Sequence, residues 1–95
     1  MHHGIWYKAS GKVVEVAPAN RRNFTYEELS RFVGGYIETV QLTRGTMYCN
    51  EEGLLHGLPY NAKATAHANA DEWWHGQAHL VGDVIFYTGN GKTKE

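Results

Sequence analysis

Two short apolar runs open the chain, Ile5-Trp6-Tyr7-Lys8-Ala9 and Lys12-Val13-Val14-Glu15-Val16. They flank Ser10-Gly11, whose glycine tolerates a positive φ, and the pattern predicts a pair of antiparallel strands. Pro18 to Asn23 replaces periodicity with proline and polar side chains, which predicts an exposed connection. Thr25 followed by Glu28 matches a capping box, and Phe24 with Leu29 occupies the positions of a hydrophobic staple. Leu29, Phe32 and Val33 recur at three- and four-residue spacing, and Gly34-Gly35 supplies residues able to end a helix in the left-handed region. A helix is expected over 25–33.

Tyr36 to Leu42 is rich in β-branched and aromatic residues and reads as a central strand, with Tyr36, Glu38, Val40 and Leu42 on one face and Ile37, Thr39 and Gln41 on the other. After a turn at Thr43-Arg44-Gly45, the runs Thr46–Cys49 and Leu54–His56 bracket Asn50-Glu51-Glu52-Gly53 and predict a second hairpin. Pro59 ends that pairing, and Asn61 is placed to cap a short alanine-rich helix through about Ala66. Asp71 is a further candidate cap, with Gly76 limiting any helix there to about two turns. Val81 to Tyr87 carries apolar residues on both sides, as a strand inside the sheet does, and Gly89 to Glu95 is a polar tail expected to fray.

The expected fold is α+β: a small, mostly antiparallel sheet of about five strands with one main helix, Thr25 to Val33, packed on one face. One domain is expected over residues 1–95, with its core at about 5–88; no internal repeat or low-complexity tract divides it. A chain of 95 residues buries about 60–65% of its unfolded surface, enough for one thin core. The sheet then has a second face to cover, and 3 Trp, 6 Tyr and 3 Phe are available to cover it, so a homo-oligomer is expected.

Charge narrows the partners. With 9 basic and 10 acidic residues the net charge is −1, which provides no general field for extended nucleic acid or an anionic membrane. The lone Cys49 forms no internal disulfide and suits a reducing cytosol. Met1 to Lys8 has no signal-peptide core, no apolar run approaches the roughly 20 residues of a membrane span, and the host cytosol is the expected location. His2 and His3 are equally consistent with a native start and with a trace of an affinity tag.

The order Val33-Gly34-Gly35-Tyr36-Ile37-Glu38, Asn50-Glu51-Glu52-Gly53, Gly57-Leu58-Pro59-Tyr60-Asn61 and Gly82-Asp83 before an apolar strand resembles the 3846 family of uncharacterised domains. That family is encoded by phages and conjugative plasmids, often beside antirestriction genes. The likeness covers about residues 12 to 88, and the combination of motifs is specific although each alone is weak. It implies a fold and a mobile-element origin; it supplies no catalytic residues. The chain departs from the family in an extra leading strand at 4–9 and in the segment Ala66 to His79 with its histidines and paired tryptophans.

Each candidate chemistry has a structural counterpart. Glu51 and Glu52 suggest an acid and a base, but such a pair needs carboxyls facing one bond at about 5–10 Å, and turn chemistry accounts for the motif. His75 and His79 have helical spacing and, with Glu72, His67 and His56, form a weak alternative metal set; exposed histidines are the simpler reading. Cys49 lies mid-strand, where thiols are usually packed and inert. Trp73 and Trp74, with Trp6, Tyr7 and Tyr36, are suited to stacking on a purine while Arg21, Arg22, Arg31 or Arg44 holds phosphate, against the alternative of an aromatic core or a subunit interface.

The leading expectation is a non-enzymatic accessory protein, acting in counter-defence, that sequesters a small nucleotide signal through Trp73, Trp74, Arg21, Arg22 and Arg44, without a cofactor. The alternatives are an inhibitor that binds a host defence protein by surface contact and a small metal-dependent hydrolase using His75, His79 and Glu72.

Overall fold

The computed structural model describes residues 4–72 and 74–88. Trp73, His2, His3 and the tail at 89–95 lie outside the described residues. In chain order the elements are β1 (Gly4–Tyr7), β2 (Val13–Val16), α1 (Tyr26–Val33), β3 (Ile37–Leu42), β4 (Gly45–Asn50), α2 (Ala62–Asn69) and β5 (Val84–Tyr87). The strands form one sheet in the order β2-β1-β5-β4-β3, antiparallel at every pairing. This is the expected α+β class.

The capping box is present in full. Thr25 Oγ1 accepts from the Glu28 amide at 3.1 Å while Glu28 Oε1 accepts from the Thr25 amide at 3.0 Å. Glu28 Oε2 also accepts from the Ala19 amide at 2.9 Å, which ties the preceding loop to the helix start. These bonds to the ionised form hold the Glu28 carboxyl below its ordinary range. At the other end Gly34 takes φ 80° and its amide donates to Ser30 O at 2.8 Å, the left-handed stop the sequence predicts.

Strand β5 organises the core because its side chains alternate between two buried layers. Ile85 and Tyr87 join Phe24, Leu29 and Val33 beneath α1, and Val84 and Phe86 join Val40, Leu42, Met47, Ala64, Ala68 and Leu80 on the α2 side. The sheet is therefore covered on both faces by its own chain. One helix was expected to pack on one face, and a second one covers the other. The open face that motivated an oligomer is filled by α2 and the segment Ala78 to Leu80.

Three local expectations change. Tyr36 to Leu42 supplies an edge strand rather than a central one: Glu38, Thr39 and Gln41 are exposed, as an edge allows and a sheet centre does not. Leu54–His56 forms no strand, because β4 already pairs with β3 on one side and β5 on the other, and residues 51–57 coil into consecutive turns. The alanine-rich helix runs beyond Ala66 to Asn69. Its polar residues Asn61, Thr65 and Asn69, four apart, bind the backbone at 78–82: Ala78 N donates to Asn69 Oδ1 at 2.6 Å, Leu80 N to Thr65 Oγ1 at 2.9 Å, and Asn61 Nδ2 to Gly82 O at 2.8 Å.

Candidate binding surface

The turns at 51–57 form a ridge that the backbone holds from within. Asn50 Nδ2 donates to Val33 O at 3.2 Å and its Oδ1 accepts from the Glu52 amide at 2.8 Å, linking the ridge to the end of α1. Gly35 permits this, since a Cβ there would lie 2.9 Å from Asn50 Nδ2. The amides of His56 and Leu58 donate to Glu52 O and Gly53 O, both at 2.9 Å. Gly53 is buried, and a Cβ on it would meet Val81 Cγ2 at 2.8 Å. With the ridge pinned inward at Asn50 and Gly53, Leu54 and Leu55 point outward, 73% and 80% exposed.

A cleft lies on each side. The first, about 320 Å³, is lined by Tyr26, Ser30, Gly34, Gly35, Tyr36, Asn50, Glu52 and His56. His56 Nε2 lies 3.1 Å from Glu52 Oε1 at its margin. The second, about 220 Å³, includes Glu38, Cys49, Asn50, Glu51, Leu54, Trp74 and His79 among its walls. Asn50 lines both, so the ridge separates them. Glu51 and Glu52 open to different clefts and cannot share one substrate bond as acid and base. Burial, aided by the nearby Glu38 carboxylate, pushes the Cys49 thiol up to about 11, so it is not a thiolate at neutral pH.

Arg21 and Arg22 lie on the opposite face of the sheet from Trp74. Arg44 instead follows Thr43, whose amide and hydroxyl hydrogen-bond Asp71 in the turn leading to Trp74. Trp6 and Arg31 line one cleft of about 250 Å³ with Glu28 and Phe32. Trp74 packs against the core on the α2 face, with its Nε1 donating to Gln41 O at 3.1 Å. The loop carrying Arg21 and Arg22 lies on the α1 face, where Arg22 O accepts from the Tyr87 hydroxyl at 3.1 Å. Arg21 takes φ 64°, and Arg44 sits in the exposed turn joining β3 to β4. None of Arg21, Arg22 and Arg44 lines either cleft beside the ridge. The charged side chains that line the cleft beside Trp74 are the carboxylates Glu38 and Glu51.

The histidines disperse as well. Asp71, Glu72 and residues 74–79 are not helical, so the four-residue spacing of His75 and His79 does not align them. His75 is exposed at φ 51°, and His79 stacks on Tyr60 with ring centroids 5.0 Å apart. His67 Nδ1 meets the Tyr7 hydroxyl at 2.6 Å beneath α2; burial lowers its pKa, opposed by the Asp71 carboxylate. Among the described residues no three of His, Cys, Asp and Glu converge on a metal position, and Glu72, His75 and His79 form no such group.

Sequence reasoning named Tyr36 as a candidate stacking ring but missed Tyr26 and the outward leucines as surface features. Only the adjacency of the turn residues Asn50 and Gly53 to Leu54-Leu55 hinted at them, and it was read as strand.

These features define a small α+β domain whose sheet is packed on both faces, with a cleft on each side of the 51–57 ridge. The chain belongs to the family described as domain of unknown function (DUF3846), whose model matches residues 4–95. The match includes the leading strand that the motif resemblance had placed outside the family pattern. No curated protein and no solved structure matches the chain. Among the described residues no helix is long and apolar enough to cross a membrane.

Proposed function

We propose that this domain works by contact with a partner protein, using the ridge at 51–57 and the clefts beside it. The observation that carries this reading is the fixed outward display of Leu54 and Leu55. Full burial of a leucine is worth about 1.5–3 kcal/mol, so an exposed pair held by an internally bonded turn is a ready source of binding energy. Around it lie tyrosines and carboxylates, which resembles the mixture of aromatic anchors and polar rim found at protein interfaces. Of the counter-defence roles implied by a mobile-element origin, inhibition of a host enzyme by surface contact is the one this surface supports best.

The test compares wild type with a Leu54→Ser/Leu55→Ser variant as bait in host lysate. A single protein retained stoichiometrically by wild type and lost from the variant supports the reading. Equal retention by both baits, or a nucleotide released from wild type by heat with no retained protein, counts against it.

A further inference from the structure

We infer that the larger cleft receives an arginine side chain of the partner, a proposal that rests on the contact reading above and names the chemistry of what is contacted. The cleft of about 320 Å³ lies at the small end of the range for ligand sites. Its walls combine three features that favour a planar cation. Tyr26 and Tyr36 are 53% and 65% exposed, so two aromatic side chains line it without being absorbed into the core. An aromatic face attracts a guanidinium placed over it. Gly34 and Gly35 put the C-terminal end of α1 in the wall, where the helix dipole is negative.

The third feature is Glu52, the one acid among the lining residues, opposed by no arginine or lysine. Its contact with His56 at 3.1 Å is an exposed i,i+4 pair, which is weakly held and open to exchange. A guanidinium both stacks on rings and forks onto a carboxylate, whereas an ammonium is a compact, strongly hydrated charge. A phosphate would meet the wrong charge and the wrong end of the helix. Leu54 and Leu55 are on the ridge that carries Glu52 and His56, so the partner surface would place an arginine beside an apolar patch.

The full chain is titrated with N-acetyl-arginine amide while backbone amide resonances are followed by NMR, with N-acetyl-citrulline amide as the uncharged isostere and N-acetyl-lysine amide as the ammonium control. Saturable shifts at Gly34, Gly35 and Tyr36 with the arginine probe are expected, with the lysine probe binding more weakly and the citrulline probe not saturating. Glu52→Gln should weaken the arginine probe by about fivefold and Tyr36→Ala by about fivefold, both being exposed positions whose replacement leaves the remaining spectrum in place. Equal response to arginine and citrulline, lysine binding as tightly as arginine, or undiminished binding in both variants would overturn the proposal. The probe assay needs no partner: its failure leaves the leucine ridge standing, and equal lysate capture by the serine variant leaves the cleft standing.

Discussion

Asn61 should be among the most sensitive positions in the molecule. It is 1% exposed, and its side chain makes three hydrogen bonds: Nδ2 donates to Tyr7 O and Gly82 O, each at 2.8 Å, and Oδ1 accepts from the Ala64 amide at 3.0 Å. Two carbonyls and one amide fix the amide orientation, since only the nitrogen can face the carbonyls. Replacing Asn61 with Ala removes a helix cap, worth about 1 kcal/mol. It also strands buried polar groups, at about 1–3 kcal/mol each, although a ladder bond partly satisfies a strand carbonyl. A total of about 3–4 kcal/mol is expected, a large share of the 5–15 kcal/mol typical of a domain. At about 4–8 °C per kcal/mol, Tm should fall by about 12–30 °C.

Asn61→Asp separates cap from donors, because the carboxylate still accepts from Ala64 but confronts two carbonyl oxygens. The neutral acid is favoured in the folded state, so the introduced carboxyl has a raised folded pKa. Its variant should be most stable below the ordinary aspartate range and lose stability as pH rises through the folded value. Urea unfolding followed by tryptophan fluorescence gives both numbers. A loss under about 1 kcal/mol for Asn61→Ala, or an Asn61→Asp variant matching wild type at neutral pH, would refute the account.

His67 is half-buried against Tyr7 and Phe86, and desolvation depresses its pKa below 6.5, so the unfolded state binds the extra proton. Its contribution is fully present above about 6.5 and lost as pH falls through the folded value; urea midpoints from about pH 8 to pH 5 should decline less steeply in His67→Gln. Gly82 and Gly57 both have positive φ, 74° and 65°, but a Cβ on Gly82 would lie 2.8 Å from Leu58 Cδ1 whereas one on Gly57 meets open space. Gly82→Ala should cost about 1–3 kcal/mol more than Gly57→Ala, and equal unfolding curves for the two would disprove the steric argument. Cys49 should resist alkylation at about pH 8 in the native protein and react only through transient opening, measured by mass spectrometry; rapid labelling would contradict a thiol pushed up to about 11.

Local chemistry was legible in the sequence wherever a few neighbouring residues decide the outcome. Thr25 with Glu28, Gly34 and the Asn61 cap all act within one or two turns of backbone, and each appears where its residue type predicts. Strand order was not legible in the same way. Tyr36–Leu42 resembles a central strand by propensity, but its place at the edge depends on β1, β4 and β5 filling the centre, which are contacts distant in sequence. Leu54-Leu55-His56 failed for a related reason: its pattern allows a strand, and no free strand edge was left beside β4 to pair with it. The same failure hid the candidate surface, because leucines assigned to a sheet are not sought on a ridge.

Several residues of the glycine, proline and asparagine motifs quoted from the sequence hold the 51–57 ridge in place. Gly53 and Gly82 admit Val81 and Leu58, Pro59 O accepts from the Gly82 amide at 2.7 Å, and Tyr60 bridges Val81. Gly35 makes room for Asn50, which binds Val33 O. Between these inward anchors, Glu51, Glu52, Leu54, Leu55 and His56 all face out. A turn that served only to connect strands and keep its tip hydrated would have no use for two leucines at its crest or for so many internal bonds behind them. For the proposed contact, the internal bonds of the turn would lower the entropy that binding must overcome, and the exposed leucines would supply apolar area to bury. That combination is why the loop carries the proposed functional reading.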